Sequence, residues 1–345
     1  MRRLPATGAA APCARHPPVS VPRRPVATPR ARSPSRPAAR SLLMDFLRSL
    51  VFSALALLAG CVPAAPANGP AADAARGHLL IVGGGTQPTE LVAHFVELAG
   101  GPGRARIAVL PMASGSPESG PDKAGQLRAL GADVFVLDVT RAQAAGDSAA
   151  RLLDDATGVW FTGGDQSRLT AAILGTPVLD AVRARWRAGA VVGGTSAGAA
   201  VMSDSMLTGA QFRAGEDTAG FHGDEYPRVA RGSIPLAPAF GFVRGALVDQ
   251  HFLRRERHNR LLSVVLERPW LLGVGIDEGT ALRVHPDGRW TVLGASAAVV
   301  YDARRARVTP PGAPALGAAE VRMHLLPAGS TFDPRTGRAT LPAHE

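Results

Sequence analysis

Short, continuously apolar segments alternate with amphipathic segments along the chain from His78 onward. Apolar runs of this length are typical of strands that are buried on both faces. They predict strands at 79–82, 107–110, 134–139, 158–162 and 190–193, and the amphipathic segments predict helices at 88–98, 123–130 and 178–188. This alternation favours an α/β fold, in which helices cover both faces of a mostly parallel sheet.

The last third of the chain has shorter apolar segments. They predict strands at 273–276, 281–285, 290–293 and 298–301, with Pro286-Asp287-Gly288 as a turn. Strands so close together along the chain are typical of an antiparallel meander or of an extension at a sheet edge. The sequence therefore predicts one domain over 78–345 that ends in antiparallel strands.

The positive charge of the chain is concentrated at its N-terminus. Residues 1–43 are rich in Pro, Ala and Arg, and their nine arginines account for nine of the ten net positive charges. The rest of the chain is close to neutral and has no basic stripe interleaved with aromatic residues, so we expect no nucleic-acid partner. Such a segment cannot form a packed core, and it is either a leader upstream of a true start at Met44 or a disordered basic arm.

Residues 44–61 have the pattern of an export signal. Arg48 provides a charged start, and 50–58 is an apolar run too short to span a bilayer as a mature helix. The run ends in Leu-Ala-Gly-Cys, which resembles a bacterial lipobox with Cys61 as the lipidated residue. The sequence therefore predicts an exported lipoprotein that contacts the membrane only through its lipid anchor, with 62–77 as a flexible tether. A plain signal peptide with an incidental cysteine is the alternative.

One segment has the pattern of a nucleophile elbow. Gly194-Thr195-Ser196-Ala197-Gly198 fits G-x-S-x-G, directly after a predicted strand and before a run of small residues. In such a turn the serine is a nucleophile, and the backbone N–H of Ala197 is an oxyanion donor at the start of the next helix. The alternative is a tight strand-to-helix turn in which Ser196 is only a helix cap.

A serine nucleophile needs a base. His251 follows the apolar run at 246–248 and opens an arginine-rich segment, where Arg254, Arg257 and Arg260 are spaced by three residues. On a helix these arginines would share one face, which is either a binding surface or an ordinary solvated face.

The base in turn needs an orienting acid. Asp277 and Glu278 both follow the predicted strand at 273–276. Because side chains alternate along extended backbone, only one of the two can face His251.

The sequence predicts neither a cofactor nor a metal. Gly83-Gly84-Gly85 lacks the G-x-G-x-x-G spacing of a dinucleotide site, so we expect a structural or substrate-facing loop there. There is also no Walker A motif, no H-E-x-x-H motif and no Cys/His cluster.

Four motifs, in order, resemble those of the cyanophycinases, a serine peptidase family related to aspartyl dipeptidase. Besides the elbow, they are Thr162-Gly163-Gly164-Asp165-Gln166, Asp249-Gln250-His251-Phe252 and Gly275-Ile276-Asp277-Glu278-Gly279-Thr280-Ala281. The match spans roughly 78–305. The resemblance implies a class I glutamine-amidotransferase-like (flavodoxin-like) α/β fold and a homodimer.

The resemblance also implies the roles of the site residues. Ser196 would be the nucleophile, His251 the general base and Glu278 the orienting acid. The pocket residues that it implies are Gln166, Asp249, Gln250, Arg255, Arg257 and Arg260. The turn before Asp165 suggests Gly164 as a second oxyanion donor, beside Ala197.

The implied substrate is cyanophycin, a polyaspartate with arginine on each β-carboxyl group, which is cut to β-Asp-Arg. A cluster of arginines suits such a substrate because guanidinium groups bind carboxylates in bidentate fashion. Asp249, Glu256 or Asp165 would receive a substrate guanidinium.

Two features depart from the family pattern. The segment 211–231 is Gly- and acid-rich and longer than usual; it is either a lid, an arginine-binding loop or a plain surface loop. Export also differs from an intracellular role on a storage polymer, and it fits the use of cyanophycin or another isoaspartyl peptide from outside the cell.

Three other functions have different sequence requirements. The nearest is an aspartyl or isoaspartyl dipeptidase of the same family. A non-catalytic binding lipoprotein would have lost Ser196, His251 or the acid, which this chain keeps. A glutamine amidotransferase would have a cysteine at the elbow.

Overall fold

The computed structural model describes residues 77–209 and 228–343. The predicted leader, the signal peptide with Cys61 and almost all of the tether lie outside these residues, so those assignments stay predictions. Within the described ranges, no helix has both the length and the apolar character needed to cross a membrane.

A nine-stranded sheet forms the centre of the fold, and its five parallel strands agree with the sequence prediction. In spatial order they are β1 (Leu79–Val82), β5 (Val191–Thr195), β4 (Gly158–Phe161), β2 (Arg106–Leu110) and β3 (Asp133–Val136). The third predicted strand ends at Val136 instead of residue 139.

Antiparallel strands extend this sheet beyond β1. They are β10 (Thr280–Val284), β11 (Trp290–Gly294), β16 (Thr331–Asp333) and β17 (Arg338–Thr340), in that order from β1 outward. Leu79 pairs with Val284 across the junction, where the sheet changes from parallel to antiparallel. The predicted edge extension is therefore confirmed for β10 and β11, and β16 and β17, which were not predicted, continue it outward.

The predicted strands at 273–276 and 298–301 do not extend the main sheet. They belong to a separate four-stranded sheet, β15-β12-β9-β8, made of β8 (Ala246–Gln250), β9 (Leu272–Ile276), β12 (Ala297–Asp302) and β15 (Arg322–Pro327). An apolar run identifies a buried strand but not its partner, which depends on tertiary packing.

Eight helices lie within the described ranges. They are α1 (Thr89–Leu98), α2 (Ser119–Ala129), α3 (Arg141–Ala144), α4 (Asp147–Arg151), α5 (Gln166–Ile173), α6 (Pro177–Ala188), α7 (Ala197–Ala200) and α8 (His258–Glu267). Short pairs β6 (Ser205–Leu207) with β7 (Leu236–Pro238), and β13 (Arg307–Val308) with β14 (Ala318–Ala319), complete the fold. Helix α2 begins four residues before the predicted helix at 123–130, because Pro121 is tolerated in a first turn, whose N–H groups have no intrahelical acceptor.

Strand β1 shows how the core is divided. Leu79 and Ile81 pack into the cluster that contains apolar residues of α5 and α6, whereas Leu80 and Val82 pack into the cluster of α1 and α2. All four side chains are buried, because helices cover both faces of the sheet. Burial of each such side chain contributes about 1.5–3 kcal/mol.

Candidate active site

Ser196 lies in the turn between β5 and α7, with φ 52° and ψ −110°. This left-handed backbone is rarely adopted by a residue other than glycine, and such strain is concentrated at functional sites. A Cβ atom on Gly194 would overlap the carbonyl of Gly198, and one on Gly198 would overlap the carbonyl of Phe161. The two glycines of the motif are therefore required for the close approach of strand and helix.

The structure brings Ser196, His251 and Glu278 together. Ser196 Oγ lies 2.9 Å from His251 Nε2, and His251 Nδ1 lies 2.6 Å from Glu278 Oε1. The serine follows β5, the histidine follows β8 and the glutamate lies just beyond β9. The arrangement has the nucleophile–base–acid geometry of a serine hydrolase.

Burial lowers the pKa of His251 below its ordinary value of 6.5. The hydrogen bond to Glu278 opposes this shift, while the positive charges of Arg255 and Arg257 add to it. The imidazole is therefore neutral near pH 7, which is the form that can accept the proton of Ser196.

The turn Gly83-Gly84-Gly85 supports both the histidine and the glutamate. The backbone N–H of His251 donates to the carbonyl of Gly83 at 2.7 Å. A Cβ atom on Gly84 would overlap the imidazole of His251, and one on Gly85 would lie 2.7 Å from Glu278 Oε2. The expected structural or substrate-facing loop thus packs directly on His251 and Glu278, a role that sequence reasoning missed.

Asp277 and Glu278 point to different partners, as alternation along the chain predicted. Asp277 accepts hydrogen bonds from the backbone N–H of Arg254 at 2.9 Å and from the hydroxyl of Ser296 at 2.8 Å. Asp277 therefore fixes the loop after His251, and only Glu278 faces the imidazole.

Of the two predicted oxyanion donors, Ala197 directly follows Ser196 and Gly164 lines the same pocket as this serine. Ala197 is the first residue of α7, so its N–H has no acceptor within the helix. A Cβ atom on Gly163 would lie 3.4 Å from that of Ser196, which places this turn beside the nucleophile. These positions are compatible with an oxyanion hole between α7 and the turn after β4.

A pocket of about 630 Å³ opens at Ser196, and we call it the arginine pocket. Five of the six predicted pocket residues line it, namely Gln166, Gln250, Arg255, Arg257 and Arg260. Arg257 Nη1 donates to the backbone and side-chain oxygens of Gln250, at 2.8 and 2.6 Å. Gln166 Nε2 donates to the carbonyl of Leu207 at 2.7 Å, which fixes the orientation of its amide.

The prediction that Asp249 receives a substrate guanidinium is wrong. Asp249 is fully buried, and its carboxylate accepts hydrogen bonds from Arg260, with Nε at 2.7 Å from Oδ2 and a second contact from Nη2 to Oδ1. Asp249 therefore does not line the pocket, and it orients Arg260, which does. Asp165 lines the pocket but also caps α5 through Ser167, and Glu256 is exposed and does not line it.

The predicted helix at His251 is also only partly right. Residues 251–257 form turns, with His251 at φ 49° and Glu256 at φ 51°, and α8 begins at His258. Arg254 is therefore not on a common helix face with Arg257 and Arg260. The left-handed conformations at His251 and Glu256 prevent the helix from starting earlier.

Comparison with known proteins identifies the family. The model of "Peptidase family S51" matches residues 79–291. The cyanophycinase of Geminocystis herdmanii is 33% identical over 272 residues, which cover 76% of this chain and 95% of the relative. The cyanophycinase of Trichormus variabilis is 34% identical over 273 residues, which cover 75% of this chain and 86% of the relative.

The chain belongs to peptidase family S51.

Membership of family S51 makes the protein a serine-type peptidase. Its fold is similar to that of a solved peptidase from an acI-B1 actinobacterium, with a TM-score of 0.52 and 21% identity, over 73% of this chain and 98% of the other. The predicted class of α/β fold, with a large and mostly parallel sheet plus antiparallel strands, is therefore confirmed.

Among residues 77–209 and 228–343, no group of His, Cys, Asp and Glu side chains is arranged to hold a metal ion. Residues 211–227 of the predicted lid or loop at 211–231 lie outside the described residues, so its role stays a prediction.

Proposed function

We propose that the protein is an exported cyanophycinase that hydrolyses cyanophycin to β-Asp-Arg dipeptides through Ser196, His251 and Glu278. The proposal depends mainly on the surroundings of Ser196. Ser196 is hydrogen-bonded to His251, and the same serine lines a pocket with three arginines. The cyanophycinases that are about one third identical over three quarters of the chain support the choice of substrate.

The geometry supports a two-step acyl transfer. Ser196 Oγ attacks the backbone carbonyl carbon of an aspartyl unit while His251 Nε2 takes the hydroxyl proton. Glu278 stabilises the imidazolium that forms, and Ala197 N–H stabilises the oxyanion. His251 then gives the proton to the leaving amine. A water molecule, deprotonated by His251, finally cleaves the acyl-enzyme and frees Ser196.

The charges of the arginine pocket fit the acyl half of this substrate. Each unit of cyanophycin has a free carboxylate on its arginine, and guanidinium groups bind carboxylates through paired hydrogen bonds. The buried carboxylate of Asp249 fixes the orientation of the Arg260 guanidinium. A pre-oriented guanidinium loses less entropy when a ligand binds.

The same pocket would also take the side chain of a single aspartate, which favours an aspartyl or isoaspartyl dipeptidase as a second candidate. Incubation of the purified enzyme with cyanophycin, β-Asp-Arg oligomers and α-Asp-Leu, followed by mass spectrometry, separates the two. We expect release of β-Asp-Arg from the polymer, at a higher kcat/KM than that for cleavage of α-Asp-Leu. Cleavage of α-Asp-Leu alone would contradict cyanophycinase activity and leave the dipeptidase.

Export and lipid attachment at Cys61 are a further part of the proposal. They are supported by the charged start, the short apolar run and the Leu-Ala-Gly-Cys sequence at 44–61. Expression of the full chain in a bacterium with labelled palmitate tests them. We expect label in the membrane fraction for the wild type, and neither label nor membrane retention for Cys61→Ser. Equal retention of both proteins would refute the anchor.

We also infer a homodimer. The exposed side chains of Met323 and Leu325, on edge strand β15, support an interface on the second sheet. Light scattering after size-exclusion chromatography should give twice the monomer mass, and Leu325→Arg should give the monomer. A monomeric wild type at micromolar concentration would contradict this inference.

A further inference from the structure

Lys123 is the only lysine in the chain, since every other Lys or Arg position is arginine. It lies in α2 and is only 7% exposed. It lines a second pocket, of about 740 Å³, which we call the lysine pocket. Lysine is almost never fully buried unless its charge has a partner.

The partners of Lys123 are polar but neutral. Its Nζ donates to Gln87 Oε1 at 2.8 Å and to Gln126 Oε1 at 2.7 Å, and it lies 4.9 Å from the centre of the Trp160 ring. No carboxylate of the described ranges forms an ion pair with it. Burial lowers its pKa to about 8, so it is still mainly an ammonium at pH 7. A buried cation without a counter-charge is costly, and an anionic ligand would offset that cost.

Two unpaired hydroxyl groups lie in the wall of the same pocket. Thr162 and Thr195 are 3% and 8% exposed, and neither Oγ1 has a hydrogen-bond partner among the described residues. Buried polar groups are nearly always satisfied, so unsatisfied groups in a pocket wall point to a bound ligand or water. The lysine pocket therefore combines an unneutralised charge with spare hydrogen-bonding capacity.

The lysine pocket adjoins two of the candidate catalytic residues. It is lined by Gly85, which packs against Glu278, and by Gly163, which packs against Ser196. The arginine pocket contains Ser196 and shares no residue with it. Because His251 has to protonate the leaving amine, the leaving half of the substrate lies on the side of His251 and Glu278. Gly85 brings the lysine pocket next to Glu278, which favours this pocket for the leaving half and the arginine pocket for the acyl half.

We propose that Lys123 binds a carboxylate on the leaving half of the substrate, so that the lysine pocket is a second specificity subsite. The inference rests on the proposed peptidase activity and adds the chemistry of the leaving group. Asp122 lines the same pocket and is exposed, so the pocket offers a cation in its wall and an anion near solvent. A leaving unit that carries both a carboxylate and a guanidinium matches this arrangement.

The ratio of kcat/KM values for two substrates, with and without carboxylates on the leaving unit, tests the proposal. The substrates are the dimer of β-Asp-Arg and the same dimer with the carboxylates of its leaving unit converted to primary amides. We expect the wild type to prefer the acid, and Lys123→Met to lose about tenfold to hundredfold of that preference, mainly through KM. Lys123→Arg, the matched control, keeps the charge and should retain part of the preference. An unchanged ratio in Lys123→Met would overturn the proposal while leaving the peptidase activity intact.

The single lysine allows a direct binding test that does not depend on turnover. Labelling the protein with ¹³C-lysine gives one side-chain signal, whose chemical shift against pH reports the pKa of Lys123. We expect β-Asp-Arg to raise that pKa by about one unit or more, as an opposite charge within a few ångströms does, and its diamide to leave the pKa unchanged.

The same titration with aspartate and with aspartate diamide tests the subsite even if the enzyme does not cleave cyanophycin. Loss of cyanophycin cleavage with a raised pKa for aspartate would refute the proposed substrate but keep the carboxylate subsite. If neither β-Asp-Arg nor aspartate changes the pKa of Lys123, while the protein still cleaves β-Asp-Arg oligomers, the subsite is refuted and the activity stands.

Discussion

His251 Nδ1 lies 2.6 Å from Glu278 Oε1, and one turn of three glycines packs against both side chains. This contact fixes which imidazole nitrogen carries the proton and leaves Nε2 to accept from Ser196. The backbone of His251 is itself in the left-handed region, held by its N–H bond to Gly83. The position of the base thus depends on the glycine turn as much as on the acid.

The contact predicts a large effect of Glu278→Gln. The amide cannot stabilise an imidazolium as a carboxylate does, so we expect kcat to fall by about 10²–10⁴-fold with little change in KM. Glu256→Gln is the matched control, because Glu256 is exposed and lies in the same segment as the base. Steady-state assays on β-Asp-Arg oligomers measure both. Near-normal turnover in Glu278→Gln would remove Glu278 from the mechanism.

The glycine turn predicts a second loss of activity, without any change in a reacting group. In Gly84→Ala the new methyl group would overlap the His251 imidazole and push it away from Ser196. A displacement of about 1 Å is enough to reduce kcat/KM by about 100-fold.

Gly103→Ala is the control for the glycine turn. Gly103 also has a positive φ, but an added Cβ atom meets no other atom within 4 Å. Both variants should lose stability through backbone strain, and only Gly84→Ala should lose activity beyond that. Equal kcat/KM values for the two folded variants would show that the turn does not position the base.

The buried pair of Asp249 and Arg260 predicts an effect on folding. Asp249→Ala would leave Arg260, which is 3% exposed, without its carboxylate, and we expect a loss of about 3–5 kcal/mol in the free energy of unfolding. The double variant Asp249→Leu/Arg260→Met should recover much of this stability but not the binding of substrate. Urea unfolding gives the first quantity and KM the second. A stable Asp249→Ala protein would mean that Arg260 finds another partner.

The pH dependence of kcat/KM follows from the state of His251. The base works only when neutral, and burial lowers its pKa below 6.5, so activity should hold down to about pH 6.5 and fall at lower pH. Glu278 raises this pKa, so Glu278→Gln should move the acid limb to still lower pH. An acid limb above pH 6.5 in the wild type would contradict a desolvated, neutral imidazole.

Much of the main sheet, and the grouping of Ser196, His251 and Glu278, could be predicted from the sequence. Strand β5 begins as an apolar run and continues into a motif whose glycines are required by close backbone contacts. The alternation after β9 correctly separates Asp277 from Glu278. These features depend on short-range geometry, which local sequence specifies.

Other features depend on partners distant in the chain. The pattern of β9 and β12 did not reveal their separate sheet, because the pairing of buried strands is decided by packing. Burial of Asp249 beneath Arg260 was likewise hidden, because an acidic residue before His251 also looks like a ligand-binding group. Lys123 was missed since a lysine in an amphipathic segment is typical of a solvated helix face. The one available signal was its uniqueness among 38 basic residues.

The release of β-Asp-Arg from cyanophycin by the wild type and by Ser196→Ala tests the proposed function most directly. Ser148→Ala is the matched control, since Ser148 is an exposed serine in α4. We predict that Ser196→Ala loses at least about 10³-fold in kcat, while Ser148→Ala matches the wild type. Release of β-Asp-Arg by Ser196→Ala at the wild-type rate would contradict the assignment of Ser196 as the nucleophile.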